Sequence, residues 1–129
     1  MSRRQIAVLT TLREKDGLPS TNPVGYVWDG ECVRISTIKG RVKYRSLLAD
    51  PRVAFCVTDK DDHMVYVELR GHASIEEDPD KAFLKSTFVR AGMEPPESLD
   101  TPGTERVIVR IHPYLSSSPT LYGGRFHKS

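Results

Sequence analysis

Alternating apolar and polar residues predict a chain built mainly of β-strands. Three stretches near the N-terminus are rich in β-branched and aromatic residues and are separated by turn residues: 5–12, 19–28 and 31–37. Gly17 ends the first turn, and Asp29 with Gly30 forms the second, a dipeptide suited to the positive φ angles of a tight hairpin. The first third of the chain is therefore predicted to be an antiparallel meander.

The pattern changes after Gly40. Three apolar residues follow with the spacing of a short helix: Val42, Leu47 and Leu48. This helix must stop before Pro51, because the residue that precedes a proline avoids the α region. Strands are predicted to follow over 52–58 and 64–75, and the second of these is either bent at Gly71 or divided there into two.

A second helix and a last strand complete the prediction. Asp78 offers an N-cap with Pro79 at the first helical position, and the helix should end near Gly92. A proline-rich loop then leads to a strand over 105–112. Six or seven antiparallel strands with two inserted helices favour a closed or nearly closed barrel, which removes exposed sheet edges. We expect one domain over 1–115 and a flexible tail over 116–129.

Composition excludes several classes of protein. The chain has 129 residues, enough for one domain with a real core. Its net charge of +2 and pI near 8.6 fall short of a dedicated nucleic-acid binder. The N-terminal apolar run is too short for a signal peptide, and no stretch approaches the roughly 18 apolar residues of a membrane helix. A cytoplasmic protein with neither nucleic acid nor membrane as partner is the expectation.

Residues that commonly carry chemistry form no recognisable cluster along the chain. Cys32 and Cys56 each lie inside an apolar run, which predicts two reduced core cysteines rather than zinc ligands. The four histidines share no metal-ligand spacing: His63, His72, His112 and His127. No Gly-x-Ser-x-Gly or Gly-x-Gly-x-x-Gly motif is present, so hydrolase and Rossmann functions have no support. The sequence therefore predicts no metal site and no catalytic side chain.

Residues 34–45 form the one segment with a distinct chemical character. They contain two hydroxyl side chains, Ser36 and Thr37, and five cations: Arg34, Lys39, Arg41, Lys43 and Arg45. Cations at the start of a helix oppose its dipole, so a negative group should compensate them. Hydroxyls, free backbone N–H groups and basic side chains together favour a phosphate site. From spacing alone, a solvated helix face or a nucleic-acid patch stays open, although the only nearby aromatic is Tyr44.

Four blocks of the chain carry a resemblance to a known family. The first block comprises 6–12 and 16–19, and the second comprises 22–30. The third comprises 35–43, Leu47 and 50–52, and the fourth comprises 66–74 and the dipeptide Asp78-Pro79. In order and spacing they are similar to the superfamily of pyridoxamine-phosphate-oxidase-like split β-barrels, and specifically to its branch that depends on coenzyme F420. The resemblance implies a mainly β, FMN-binding-like split barrel.

The resemblance also implies a cofactor site. In similar proteins the cofactor lies in a groove between the two subunits of a homodimer. Carried over, the residues that would bind the cofactor phosphate are Ser36, Thr37, Lys39, Arg41 and Lys43. Those that would line the isoalloxazine-like ring are Asn22, Pro23 and Val24. No acid or base needs to be assigned, because in such enzymes the cofactor carries the hydride chemistry.

The function implied is that of an oxidoreductase that uses F420 to transfer a hydride to a small unsaturated or quinone-like substrate. Alternatives are an FMN-binding flavoprotein, a non-enzymatic carrier of F420 or flavin, and a haem binder that would need an axial histidine such as His127. F420 differs from FMN by a tail of carboxylates, which would need a basic track. Arg45, Arg52 and Lys60 could supply it.

Overall fold

The structure is a computed structural model that describes residues 5–59, 61–62, 64–97 and 100–117. Within these residues the chain forms six strands and two α-helices. In chain order these are β1 (Gln5–Leu12), β2 (Pro19–Trp28), β3 (Val33–Ile38), α1 (Val42–Ala49), β4 (Arg52–Thr58), β5 (Tyr66–Glu77), α2 (Ala82–Arg90) and β6 (Arg106–Ser117). The predicted mainly β architecture with two inserted helices is confirmed.

The strands form a closed antiparallel barrel in the order β1-β2-β3-β6-β5-β4. β5 is one continuous strand, and a register shift between Arg70 and Gly71 bends it where the sequence predicted a bend or a break. β6 pairs with β5 as far as Ser117, two residues beyond the expected domain end at 115. The rest of the predicted tail lies outside the described residues.

Inward-facing residues of the strands fill the barrel, and Leu47 of α1 closes it. The buried cluster consists of Ala7, Leu9, Val24, Val33, Ile35, Leu47, Val53, Phe55, Val109 and Ile111. At its centre the Phe55 ring meets the Tyr26 ring edge-on, with 5.1 Å between centroids. A smaller cluster of Val27, Phe83 and Ile108 packs α2 against the outside of the barrel.

Two side chains lie nearer to solvent than the sequence indicated. Cys32 is buried as predicted, but Cys56 is only half-buried because it lies opposite Val8 on the outer face of the barrel. Trp28, expected to pack at a strand end, is 48% exposed. The predicted core is therefore slightly too large.

The start of α2 differs from the prediction. Residues Pro79–Lys81 form a 3₁₀ turn, and Asp80 and Lys81 have positive φ angles of 58° and 56°. These angles interrupt the α-helical path, so α2 begins three residues after Pro79. The N-cap position of α2 is therefore Lys81 and not Asp78 as predicted, but the Asp78 carboxylate still accepts the backbone N–H groups of Phe83 at 2.8 Å and Leu84 at 3.1 Å.

The hairpin between β2 and β3 is organised by Asp29. Its carboxylate accepts the backbone N–H groups of Glu31 and Cys32, both at 2.9 Å. These two bonds, with a smaller contribution from nearby Arg34, hold the pKa of Asp29 at about 2. The turn therefore depends on an ionised carboxylate.

Asp29 should make part of the stability of the hairpin depend on pH. Because its pKa in the folded chain is below its unfolded value of about 4, its contribution is full above pH 4 and is lost as the pH falls towards 2. We expect the difference in the free energy of unfolding between the wild type and Asp29→Asn to shrink over that range. Urea unfolding at a series of pH values measures it, and a difference that stays constant would contradict the role of the carboxylate.

Candidate functional site

The barrel has a split between β2 and β3. The two strands pair only through Val27↔Arg34 and Trp28↔Val33. On their other sides β2 pairs with β1, and β3 with β6, along most of their length. Among the described residues, the facing edges over 19–26 and 35–38 therefore use no ladder hydrogen bonds with each other, and their backbone groups can receive a ligand.

The split lies at the end of the barrel that α1 covers. β1 and β3 end here, β2 and β4 begin here, and α1 connects β3 to β4. Leu47 anchors the helix in the barrel core, and the helix packs against β1. The two predicted cofactor segments, 22–24 and 36–43, therefore lie on the two sides of one opening.

The start of α1 is cationic and lacks a negative partner. Arg41 is the N-cap, and its side chain makes no capping bond to the first N–H groups of the helix. Lys43 is half-buried, and burial together with the charge of Arg41 lowers the pKa of its ammonium group. Among the described residues, no carboxylate lies within ion-pair distance of either side chain. An anion bound here would be stabilised by two charges and by backbone N–H groups.

Lys39 lies in a different electrostatic environment from these two cations. Its Nζ is 3.0 Å from a carboxylate oxygen of Glu77 and 3.2 Å from one of Glu105. Both carboxylates raise the pKa of Lys39. The three side chains carry a net negative charge, so in this structure Lys39 joins the ends of β3 and β5 to the start of β6 rather than offering a charge to a phosphate.

The two predicted hydroxyls point to opposite faces of β3. Thr37 is buried inside the barrel at 4% exposed. Ser36 faces outward, where its Oγ accepts a hydrogen bond from the Arg106 guanidinium at 3.2 Å. The structure therefore places Thr37 on the same side as the barrel core and Ser36 within a separate polar network.

That network joins three segments of the chain around Asp100. Its carboxylate accepts two hydrogen bonds from Arg106, at 2.9 and 3.0 Å, and lies 3.3 Å from the Lys81 ammonium. These cations, Arg106 above all, lower the pKa of Asp100. Ser36 is thus held by a side chain that is itself fixed by an ion pair.

The three predicted ring-lining residues alternate along β2. Val24 belongs to the barrel core, opposite Ala7. Pro23 and Asn22 are exposed, and Asn22 is opposite Leu9, a fully buried residue of the inner face. Asn22 is exposed although it lies opposite a core residue because β3 does not pair with β2 at this level. Its side chain and the neighbouring backbone are accessible from the split.

The basic track predicted for an anionic tail is only partly available. Arg45 donates to the Gly40 carbonyl at 3.4 Å. Arg52 makes a two-pronged ion pair with Asp50, the closest contact being 2.7 Å, and this pairing raises the pKa of Arg52. Lys60, the third residue of the track, lies outside the described residues. Arg52 would have to exchange a carboxylate of its own chain for one of a ligand.

A second cleft, of about 510 Å³, lies outside the barrel between the end of β5, the turn before α2 and the start of β6. Its walls include Glu77 and Glu105, which are paired with Lys39, and Arg106, which is paired with Asp100. Because Lys39 neutralises only one of these two carboxylates, this wall of the cleft is net negative and does not favour an anionic ligand. In the same described part of the chain no three His, Cys, Asp or Glu side chains are grouped to bind a metal, and His63 and His127 lie outside it.

Sequence reasoning missed the partners of the predicted site residues. Glu77, Glu105, Asp100 and Arg106 come from the ends of distant strands and from a loop, and the contact between Ser36 and Arg106 spans 70 positions. No local motif signals such pairings.

Comparison with known proteins agrees with this geometry. The family described as pyridoxamine 5'-phosphate oxidase matches residues 1–113. A solved structure named F420 Reductase is 34% identical, covers 90% of this chain and 91% of that chain, and has a TM-score of 0.79. A conserved hypothetical protein from Mycobacterium tuberculosis is 28% identical over 97% of this chain and 83% of that chain, with a TM-score of 0.71.

More distant structures share the fold alone. General Stress Protein 26 from Bacillus anthracis is 24% identical, covers 89% of this chain and 84% of that chain, and has a TM-score of 0.65. No curated protein matches the sequence significantly. No helix in the described ranges is long and apolar enough to cross a membrane.

With a split barrel, a cationic helix start at the split and a family match over most of its length, the chain belongs to the pyridoxamine 5'-phosphate oxidase family.

Proposed function

We propose that this chain binds coenzyme F420 and acts as an oxidoreductase on a small unsaturated or quinone-like molecule. The observation that carries the proposal is the pair Arg41 and Lys43, which have no carboxylate partner among the described residues and lie at the end of the barrel where the split opens. The similarity to a protein named F420 Reductase, at 34% identity over nine-tenths of both chains, supports the choice of cofactor.

The residues present fit such a cofactor. Arg41 and Lys43 would hold its phosphate, with the first N–H groups of α1 as additional donors. The β2 edge at Asn22 and Pro23 would lie against the ring, and the apolar core beneath it, including Val24, would exclude water. The bound cofactor would supply the hydride, while the protein orients the substrate against the ring.

Lys39 and Ser36 would take supporting roles in this proposal. Lys39 is held by two carboxylates, and Ser36 by Arg106. Both would keep β3 in place beside the split instead of contacting the phosphate through their side chains.

FMN is the second candidate cofactor. It carries a phosphate on a similar ribityl arm and would suit the same pair of cations. The ion pair that engages Arg52 leaves a weaker track for the carboxylate tail of F420, which is a specific feature in favour of FMN. A carrier without turnover would use the same residues.

A twofold dimer is part of the proposal, with the cofactor in a groove shared by two subunits. Ile6 and Val8 are 53% and 40% exposed on the outer face of β1, and Pro23 is opposite Val8. Such an apolar strip beside the split favours burial against a second copy.

Fluorescence titration of the purified protein with F420 and with FMN, each alone, tests the proposal. We expect saturable binding of F420 and oxidation of the reduced cofactor by at least one of a panel of quinones, tetrapyrroles and nitro compounds. Tight binding of F420 without turnover would indicate a carrier. Binding of FMN alone would indicate an FMN-dependent flavoprotein instead of an F420-dependent enzyme. Light scattering of the same sample should give twice the 14.5 kDa of one chain, and a monomer that binds F420 fully would contradict the shared groove.

A further inference from the structure

Gly25 lies in the interior of β2, although the backbone there does not require a glycine. Its partner in β1 is Ile6, and the ladder continues on both sides of this pair without a register shift. The described glycines with a positive φ angle are Gly17, Gly30, Gly92 and Gly103. Gly25 is not one of them, so neither a bulge nor a left-handed conformation explains it. A glycine inside a regular strand weakens the strand and often marks a place where a ligand or another chain approaches closely.

Apolar side chains surround the position where Gly25 lacks one. Paired residues of an antiparallel ladder point to the same face, so Gly25 shares the outer face of the barrel with Ile6, and Pro23 shares it with Val8. All four residues are exposed, and we call this group the Gly25 notch. None of its side chains carries a charge or a hydrogen-bonding group, so a charged molecule would lose hydration there without gaining a side-chain partner.

The Gly25 notch lies next to the place proposed for the cofactor ring. That ring would lie against β2 at Asn22 and Pro23, and Gly25 is the next residue after Pro23 on the outer face. Residues two apart on a strand are separated by roughly 7 Å, a distance that one aromatic ring can span. Gly25 also belongs to the edge of β2 that β3 leaves unpaired, since their ladder begins only at Val27. A planar molecule beside the cofactor ring would therefore lie over Gly25.

We propose that the Gly25 notch is part of the substrate site and receives an apolar ring of the substrate. The missing side chain leaves room for that ring, and Ile6 and Val8 supply apolar contacts. The inference rests on the proposed function and deepens it, because it names the substrate class as neutral planar molecules with a fused apolar ring. In the proposed dimer, Gly25 would lie in the wall of the shared groove, where a substrate has to reach the cofactor.

Two variants that change the width of the Gly25 notch in opposite directions test the inference. Gly25→Val fills the notch, and Ile6→Ala removes the side chain opposite. The measurement is kcat/KM for a methyl-naphthoquinone relative to the methyl-benzoquinone that lacks its second ring, with the reduced cofactor that the protein binds. We expect Gly25→Val to lower this ratio about 10-fold or more, as for a steric misfit in an apolar pocket. The double variant should recover part of the loss, and Ile6→Ala alone should not lower the ratio.

Leu115→Ala is the matched control for Ile6→Ala. It truncates a similarly exposed apolar side chain on β6 and should leave the ratio of the two quinones unchanged. Gly25→Val should bind the cofactor like the wild type and melt at no lower temperature, since a β-branched residue suits a strand better than glycine. An unchanged ratio in Gly25→Val would overturn the inference. A lower melting temperature with equal losses for both quinones would also overturn it, because it would show a structural role.

Calorimetric titration of the methyl-naphthoquinone into the protein without cofactor separates this inference from the proposed function. If neither F420 nor FMN binds, naphthoquinone binding that Gly25→Val loses would remove the proposed function and keep the Gly25 notch as an apolar site. Absence of both cofactor and quinone binding would overturn both. Cofactor binding and turnover with the same quinone preference in every variant would keep the proposed function and remove the notch from the substrate site.

Discussion

Replacing Arg41 and Lys43 together with alanine is expected to weaken cofactor binding by about 3–6 kcal/mol, or roughly 10²- to 10⁴-fold, since each charged hydrogen bond contributes about 1.5–3 kcal/mol. The fold should tolerate the change. Arg41 is exposed, and Lys43 is partly desolvated beside a like charge, so its removal relieves an unfavourable interaction. Isothermal titration with F420 and with FMN measures the loss.

The matched control is Lys85→Ala with Arg90→Ala. It removes the same two charges from exposed positions of α2. This variant should bind the cofactor like the wild type, which separates a specific contact from a change in net charge. Equal affinities of the wild type and the Arg41/Lys43 variant would remove the helix start from the site and, with it, the main support for the proposed function.

Phe55→Ala should destabilise the barrel by about 3–5 kcal/mol, the usual cost of removing a buried aromatic ring. Phe55 is 1% exposed, and its ring contacts Tyr26 of β2 across the barrel core. Its loss therefore leaves a cavity between β4 and β2 and removes an edge-on ring contact. The free energy of unfolding in urea gives the effect.

Val89→Ala provides the comparison for this variant. Val89 is 64% exposed on α2, so its truncation should change stability by no more than about 0.5 kcal/mol. Similar losses in the two variants would mean that Phe55 does not lie in a close-packed core. A large loss in Phe55→Ala alone would agree with a barrel stabilised by its interior.

Strand positions were the most predictable part of the fold. β1 and β2 begin and end at the predicted residues, because residues that alternate between core and solvent leave a period of two in the sequence. α1 ends where Pro51 requires it to end. The start of α2 was wrong by three residues, since positive φ angles at Asp80 and Lys81 follow from contacts of the folded chain and have no marker in the sequence.

The site was predictable only where its residues are close in the chain. The run from Ser36 to Lys43 is visible as a cluster of cations and hydroxyls. The carboxylates that engage Lys39 come from β5 and from the loop before β6, and no spacing rule connects them with it. The burial of the Ser46 hydroxyl, which has no hydrogen-bond partner in the part of the chain that the structure describes, likewise follows from how α1 packs over the barrel.

The junction between β2 and β3 has a mechanical consequence. Two residue pairs close it, whereas six join β3 to β6. The hairpin of β1 and β2 is therefore joined to the rest of the barrel by short ladders on both sides, three pairs from β1 to β4 and two from β2 to β3 among the described residues. A small widening of the split breaks few backbone pairs, whereas a larger one disturbs Val24 and Tyr26 of β2, which pack in the core with Phe55. If the proposed cofactor binds here, substitutions at the exposed positions Asn22 and Pro23 can alter the rim of the split while the buried side chains behind it stay the same.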